Sequence, residues 1–395
     1  MRVPATPTLS RLEKLVAFPT VSRDSNLGLI EWVRDELAAQ GVASRLTYDN
    51  DRRKANLFAT VGDSGTQGGI VLSGHTDVVP VDGQDWKTDP FKAALVGDRI
   101  HGRGAADMKG FIAVVLAAVP GMLARKNGVP LHIALSYDEE VGCLGVSRLL
   151  EDLSNSGIRP AGCIVGEPTG MGLVIGHKGA SVHTCKVQGR AAHSSLAPHG
   201  VNAISYAAAV IAQLRQLSKR LWETEAPQSG YDVEHTTLNV GVIKGGIASN
   251  IVAENCEFRF DIRHLPSTSP GSIVKELERF AADELLPEMR SIAPEAAITF
   301  ECLGRVPALD TQETAPLVSW VARLLDTTAP PAQVGFGTEA GLFDAAGIPA
   351  VICGPGRIEQ AHKPDEFVTL EQLARCERFM SALIHAAAPE ERACH

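Results

Sequence analysis

One recurrence constrains this chain more than any other feature: short apolar runs, each followed closely by residues able to bind a metal. Ile70-Val71-Leu72-Ser73 leads to His75 and Asp77. Ile133-Ala134-Leu135 leads to Asp138, Glu139 and Glu140. Ile164-Val165 leads to Glu167, and Val351-Ile352 leads through a Gly-Pro-Gly loop to His362. Runs this short, bounded by glycine, predict buried strands rather than helices. Open α/β sheets collect their functional side chains at the carboxyl ends of such strands.

The stretches between the runs supply helices. Gly110 to Leu123 is Ala-rich and free of turn residues until Pro120, so it reads as a helix just after Asp107. The alternation predicts an α/β domain with a mainly parallel central sheet. From Ser181 the rhythm changes to strand, helix, strand, strand, helix, strand, ending near Cys302. That is the order of a ferredoxin-like α+β unit. The α/β pattern then resumes and closes with a helix from Leu370 to Ala387. The expected organisation is a catalytic domain in two parts, 1–179 and 305–395, with an inserted domain at 180–304.

Composition narrows the function. Among 395 residues, 45% are apolar and 21% charged, the balance of a soluble globular protein. The net charge of −9 and the lack of a basic run argue against nucleic acid as partner. Charges interrupt the N-terminal segment 12–16, so no targeting signal is read there. No run reaches the roughly 18 uninterrupted apolar residues of a membrane span. A cytoplasmic protein is expected. The eight cysteines form no C-x-x-C pair, and Cys163 and Cys353 sit in strand-like runs, where reduced buried thiols are expected.

Two imidazoles and several carboxylates thus converge on one rim. Crowded carboxylates repel one another, and divalent cations reverse that cost. A His, Asp and Glu set without thiolate suits zinc, cobalt or manganese. Each residue also has an ordinary reading: His75 and His362 as surface or capping histidines, Asp107 as a helix N-cap, Glu139-Glu140 as a solvated pair. The repetition after successive strands outweighs those readings. Gly62-Asp63-Ser64-Gly65 looks like a serine-protease nucleophile loop, but no His and Asp precede it in the order that fold uses. G-x-S-x-G and G-x-G-x-x-G are absent.

The motifs resemble those of the M20 family of dinuclear metallopeptidases and deacylases. The matching stretches are S-G-H-T-D-V-V-P at 73–80, H-G-R-G-A-A-D-M-K-G at 101–110, S-Y-D-E-E-V-G-C-L-G at 136–145 and G-E-P-T at 166–169. They continue with A-A-H-S-S at 191–195, G-T-E-A-G at 337–341 and E-Q-A-H-K-P-D-E-F at 359–367. The resemblance covers nearly the whole chain.

It implies a zinc-peptidase-like catalytic domain, with the insert serving as lid and dimerisation domain. It implies two divalent metal ions per chain, zinc or alternatively cobalt. His75 and Glu167 would be terminal ligands of one metal, Glu140 and His362 of the other, and Asp107 would bridge, with a cis peptide just after it. Asp77 would hydrogen-bond His75, and Glu139 would be the general base. His193 would reach the neighbouring subunit's site in a homodimer.

The implied substrate is a small N-acyl amino acid. Arg263 and Asn250 are candidates for holding its carboxylate; the ordinary alternative is a strand arginine in a surface ion pair. Related desuccinylases carry Ser-Asp-Gly where this chain has Thr338-Glu339-Ala340. The Gly337-Thr338-Glu339 segment therefore points to the branch acting on N2-acetyl-L-ornithine in arginine biosynthesis, with Glu339 facing a cationic side chain. His264 and Ala253 depart from the prolines usual in that branch. The alternatives are another deacylase or peptidase of the family, or a non-catalytic binding protein of the same fold; the intact Glu139 speaks against the last.

Overall fold

The computed structural model describes residues 4–62, 68–125 and 129–386. Asp63, Ser64 and Gly65 of the protease-like tetrapeptide lie outside the described residues, as does Ala387. The chain divides into two compact units: Met1–Gly176 with Leu309–Gln333 and Thr338–His395, and His177–Ala308 with Val334–Gly337.

The first unit is built on a sheet of nine strands among the described residues. Its centre is parallel. Ile70–His75 runs parallel to Leu131–Ser136 on one side and Gly162–Pro168 on the other, and Ala350–Gly354 runs parallel to Gly162–Pro168. Ala55–Val61 and Ser44–Tyr48 extend one side antiparallel. Every residue of the four central strands is buried. Strands covered on both faces need such near-continuous apolar runs, which is why they were visible in the sequence.

Helix Gly110–Ala124 packs against Thr6–Val16 and Leu370–His385. Phe111, Val115, Leu373 and Phe379 belong to this core. By length and composition the stretch Ala105–Ala124 would cross a membrane, but most of it is buried inside the protein, as a core helix is.

The second unit holds a four-stranded antiparallel sheet in the spatial order Thr237–Gly245, Asn255–His264, Gly179–Gln188, Ala297–Val306. Along Asn255–His264, Cys256, Phe258, Phe260 and Ile262 are buried while alternate residues are less so, the period-two pattern of a sheet covered on one face. Helices Ala203–Thr224 and Pro270–Phe280 share that core. The first starts where the Asn202 side chain accepts the N–H groups of Ile204 and Ser205. The second helical stretch of this unit, 270–292, is three segments. A π-helical turn at Ala281–Leu285 separates Pro270–Phe280 from Leu286–Ile292.

Candidate metal centre

The candidate ligands sit where strands end in the first unit. His75 is the last residue of Ile70–His75, and Glu167 is the penultimate residue of Gly162–Pro168. Asp138, Glu139 and Glu140 follow Leu131–Ser136. His362 stands in the loop after Ala350–Gly354, with φ +62.

Asp107 is placed by a turn rather than by a helix cap. Gly104 has φ +82, and a Cβ there would meet the Val78 side chain at 2.7 Å, so the turn requires glycine. Asp107 itself has φ −122 and ψ 91, and its peptide bond to Met108 is cis. The regular helix begins only at Gly110. The ordinary N-cap reading of Asp107 therefore fails.

The side chains converge. His75 Nε2 lies 3.0 Å from Asp107 Oδ1 and 3.7 Å from Glu167 Oε1. His362 Nε2 lies 3.3 Å from Asp107 Oδ2 and 3.0 Å from Glu140 Oε2. The two oxygens of Asp107 thus face two different imidazoles. Two groups, His75 with Asp107 and Glu140, and His75 with Glu139 and Glu167, have ligand atoms close enough to hold a metal ion.

The chemistry of this donor set fits a cation. His75 Nδ1 faces the main-chain carbonyl of Asp77 at 2.9 Å, so Nδ1–H donates and the neutral ring turns a lone pair toward Asp107. An acceptor facing an acceptor needs a proton or a metal between them. The titration tendencies say the same. Burial works against charge on His75, yet Asp107, Glu167 and Glu139 raise its pKa well above 6.5. Asp107 and Glu140 raise His362 to about 10. Burial and neighbouring carboxylates raise Glu140 and Glu167, and they push Glu139 up to about 8 although His75 opposes the shift. Burial would raise Asp107 too, but hydrogen bonds from both imidazoles bring it below the usual carboxylate range.

Asp77 requires a correction. Its carboxylate stands 3.7 Å from His75 Nδ1, while its own carbonyl takes that N–H. The carboxylate instead accepts the main-chain N–H of Glu139 at 3.0 Å, that of Glu140 at 3.3 Å and the Ser22 hydroxyl at 2.7 Å. Two backbone donors and a hydroxyl outcompete a ring N–H already satisfied.

The expected substrate residues are divided between the two units. Thr338 and Glu339 are fully buried. The Ser73 and Ser136 hydroxyls donate to the two oxygens of Glu339 at 2.5 and 2.6 Å, so it offers no free carboxylate to a cationic side chain. Thr338 Oγ1 accepts the Ala340 N–H at 3.1 Å. Gly337 is partly buried. In the second unit, Arg263 Nε is 2.9 Å from Asp261, the surface ion pair of the ordinary reading. His193 and Asn250 are exposed and lie on adjoining segments: Ser194 N–H donates to the Asn250 carbonyl at 2.9 Å. His193 Nδ1 accepts from the Ser195 N–H and hydroxyl, which leaves the proton on Nε2.

Several residues at the site escaped the sequence reading. Glu366 is buried and accepts from the turn that carries Asp107. Arg103 pairs with it at 2.7 Å. The Cys143 thiol donates to Glu139 Oε1 at 3.3 Å. The available signal was position alone: all three lie inside the motif stretches already singled out.

A parallel-centred sheet with a His, Asp and Glu cluster at its strand ends defines a metal-dependent hydrolase. Residues 71–386 match the model of Peptidase family M20/M25/M40, and the chain belongs to that family. Acetylornithine deacetylase of Pasteurella multocida is 33% identical over 384 residues, covering 95% of this chain and 97% of that protein. Acetylornithine deacetylase of Proteus mirabilis is 34% identical over 401 aligned positions, covering 98% of each. Among solved structures, the M20 family metallo-carboxypeptidase Sso-CP2 from Sulfolobus solfataricus matches with a TM-score of 0.75 at 19% identity, covering 96% of this chain and 99% of that one.

Proposed function

We propose that this chain is a dinuclear deacylase that cleaves N2-acetyl-L-ornithine to L-ornithine and acetate, acting as a cytoplasmic homodimer. The observation that carries the reading is Asp107, whose two oxygens lie 3.0 and 3.3 Å from the Nε2 atoms of His75 and His362. A carboxylate between two imidazoles, with Glu167 beside one and Glu140 beside the other, suits a pair of divalent cations that share it. Zinc fits the donor set, and cobalt is the alternative.

Such cations, when bound, supply a water of lowered pKa and polarise the amide carbonyl. His75, Glu167, Glu140, His362 and Asp107 hold them. Glu139 takes the water's proton at a carboxylate oxygen and returns it to the leaving amine nitrogen. Asp77 orients Glu139 through the main chain. His193, with its proton on Nε2, is a donor for the carbonyl oxygen of a substrate held in the partner's site. Arg263 and Asn250 hold the substrate carboxylate.

The substrate side chain rests on the similarity to the acetylornithine deacetylases, since the buried Glu339 gives no support to a cationic pocket. An assay of purified enzyme against N-acetylornithine, N-succinyl-diaminopimelate, neutral N-acetyl amino acids and dipeptides tests it. Preference for N-acetylornithine by at least an order of magnitude in kcat/KM is expected, and an equal or better neutral substrate overturns the assignment.

A further inference from the structure

His362 is half exposed, whereas Asp107 is buried. Most of the chain, including three of the four central strands and the second unit, lies between them in sequence, yet they face one another at 3.3 Å. One connected set of side chains ties the two segments together. Glu366 Oε1 accepts the N–H groups of Ala106 and Asp107 at 2.9 and 3.1 Å. Its Oε2 accepts the Gly104 N–H at 3.0 Å and the Arg103 guanidinium at 2.7 Å. The Gly102 N–H donates to the Glu366 carbonyl. Residue 366 therefore grips the whole 102–107 turn.

Arg103 passes the connection on. Its other terminal nitrogen donates to Gln84 Oε1 at 2.5 Å, and the Trp86 ring lies beneath the guanidinium, 5.0 Å from centroid to carbon. The Trp86 indole N–H donates to the same Gln84 oxygen at 3.0 Å. Gln84 Nε2 then donates to the His362 carbonyl at 3.0 Å. Arg103 also reaches the Lys363 carbonyl at 3.4 Å. Both members of the Arg103–Glu366 pair are about 1% exposed. A buried ion pair is weak evidence of stabilisation by itself, but this one is bonded through Glu366 to the Asp107 N–H and through Gln84 to the His362 carbonyl, which ties the two candidate ligands together.

We propose that Glu366, Arg103 and Gln84 form a positioning network that sets the separation of Asp107 and His362, and with it the affinity for the cation those two residues share. The inference rests on the two-cation reading. None of the three side chains touches the substrate or the reacting atoms; they act through the main chain of the ligands. Groups that orient metal ligands are typically worth about 10–100-fold in affinity.

The test is calorimetric titration of the metal-free full-length chain with Co2+, for the wild type, Gln84→Ala and Glu366→Gln. Gln84 is at the surface end of the network, so its loss leaves the Arg103–Glu366 pair in place, and the thermal midpoint of the metal-free protein is followed alongside. The wild type is expected to take up two equivalents. In Gln84→Ala one of the two binding steps weakens about tenfold while the other keeps its affinity, and Glu366→Gln weakens the same step further. At limiting Co2+ the Gln84→Ala enzyme turns over slowly, and excess Co2+ restores kcat, which a general structural defect would not allow. Two wild-type equivalents with unchanged affinities in Gln84→Ala overturn the network's role while leaving the two-cation reading intact. Fewer than two equivalents on the wild type contradict both.

Discussion

The carboxylate of Asp77 accepts the main-chain N–H of Glu139 at 3.0 Å. A residue two positions after one candidate ligand thereby fixes the loop that carries the candidate base and the next ligand, Glu140. The Ser22 hydroxyl completes its shell at 2.7 Å.

Asp77→Asn keeps the volume and one acceptor but turns an amide NH2 toward a backbone N–H. The loop should shift, and kcat should fall about 10–100-fold with little change in metal content. Ser22→Ala, which removes one of three donors, should cost far less. Steady-state kinetics with metal analysis of the same samples decides it, and a wild-type kcat in Asp77→Asn would mean that the loop holds itself.

Glu139→Ala should leave both cations bound and reduce turnover by about 10²–10⁴-fold, the usual worth of a general base. A variant that keeps more than roughly a tenth of the wild-type kcat would remove Glu139 from the role.

The fold was legible because the central strands are buried on both faces, which forces continuous apolar runs such as Ile70-Val71-Leu72. The alternation at Cys256, Phe258, Phe260 and Ile262 likewise exposed the antiparallel sheet. The ligand types could be read because each follows a strand. What could not be read is where a side chain turns. Nothing in the segment around Asp77 says that its carbonyl, not its carboxylate, meets His75. Nothing near Glu339 says that Ser73 and Ser136, more than two hundred residues back in the chain, fill both its oxygens. Glu366 is, by sequence, one more acid in a polar loop. Its partners on the 102–107 turn are set by tertiary packing.

His132 offers a pH test away from the metal centre. Its Nε2–H donates to the Gly68 carbonyl at 3.2 Å, and Nδ1 accepts from the Thr60 hydroxyl at 3.0 Å, so the folded state holds the neutral ring. Burial lowers its pKa from 6.5. The unfolded chain therefore binds this proton more readily, and the associated stability, complete above about pH 6.5, is lost as the pH falls. Between pH 8 and 5 the thermal midpoint of the wild type should drop further than that of His132→Gln. Parallel curves would show that His132 does not titrate on unfolding.

Converting the α-carboxylate of the substrate to an amide should lower kcat/KM by about 10–100-fold, since a hydrogen bond to a charged group is worth about 1.5–3 kcal/mol. Arg263→Ala should erase most of that discrimination, because both substrates then lack the same contact. If Arg263→Ala still discriminates as the wild type does, Arg263 is only the partner of Asp261.

His193→Ala and Glu139→Ala should each be nearly inactive alone. Mixed under conditions that exchange subunits, they should regain activity, because a dimer of one of each has one site with both lesions and one with neither. No recovery despite proven exchange would return His193 to its own chain's surface.

The central claim is that Asp107 is shared by two cations, and metal stoichiometry tests it most directly. Metal-free protein reloaded with zinc or cobalt and freed of excess should retain two ions per chain by elemental analysis, and Asp107→Ala should fail to retain the pair. A wild-type chain that never holds more than one ion, even after reloading with either metal, would contradict it.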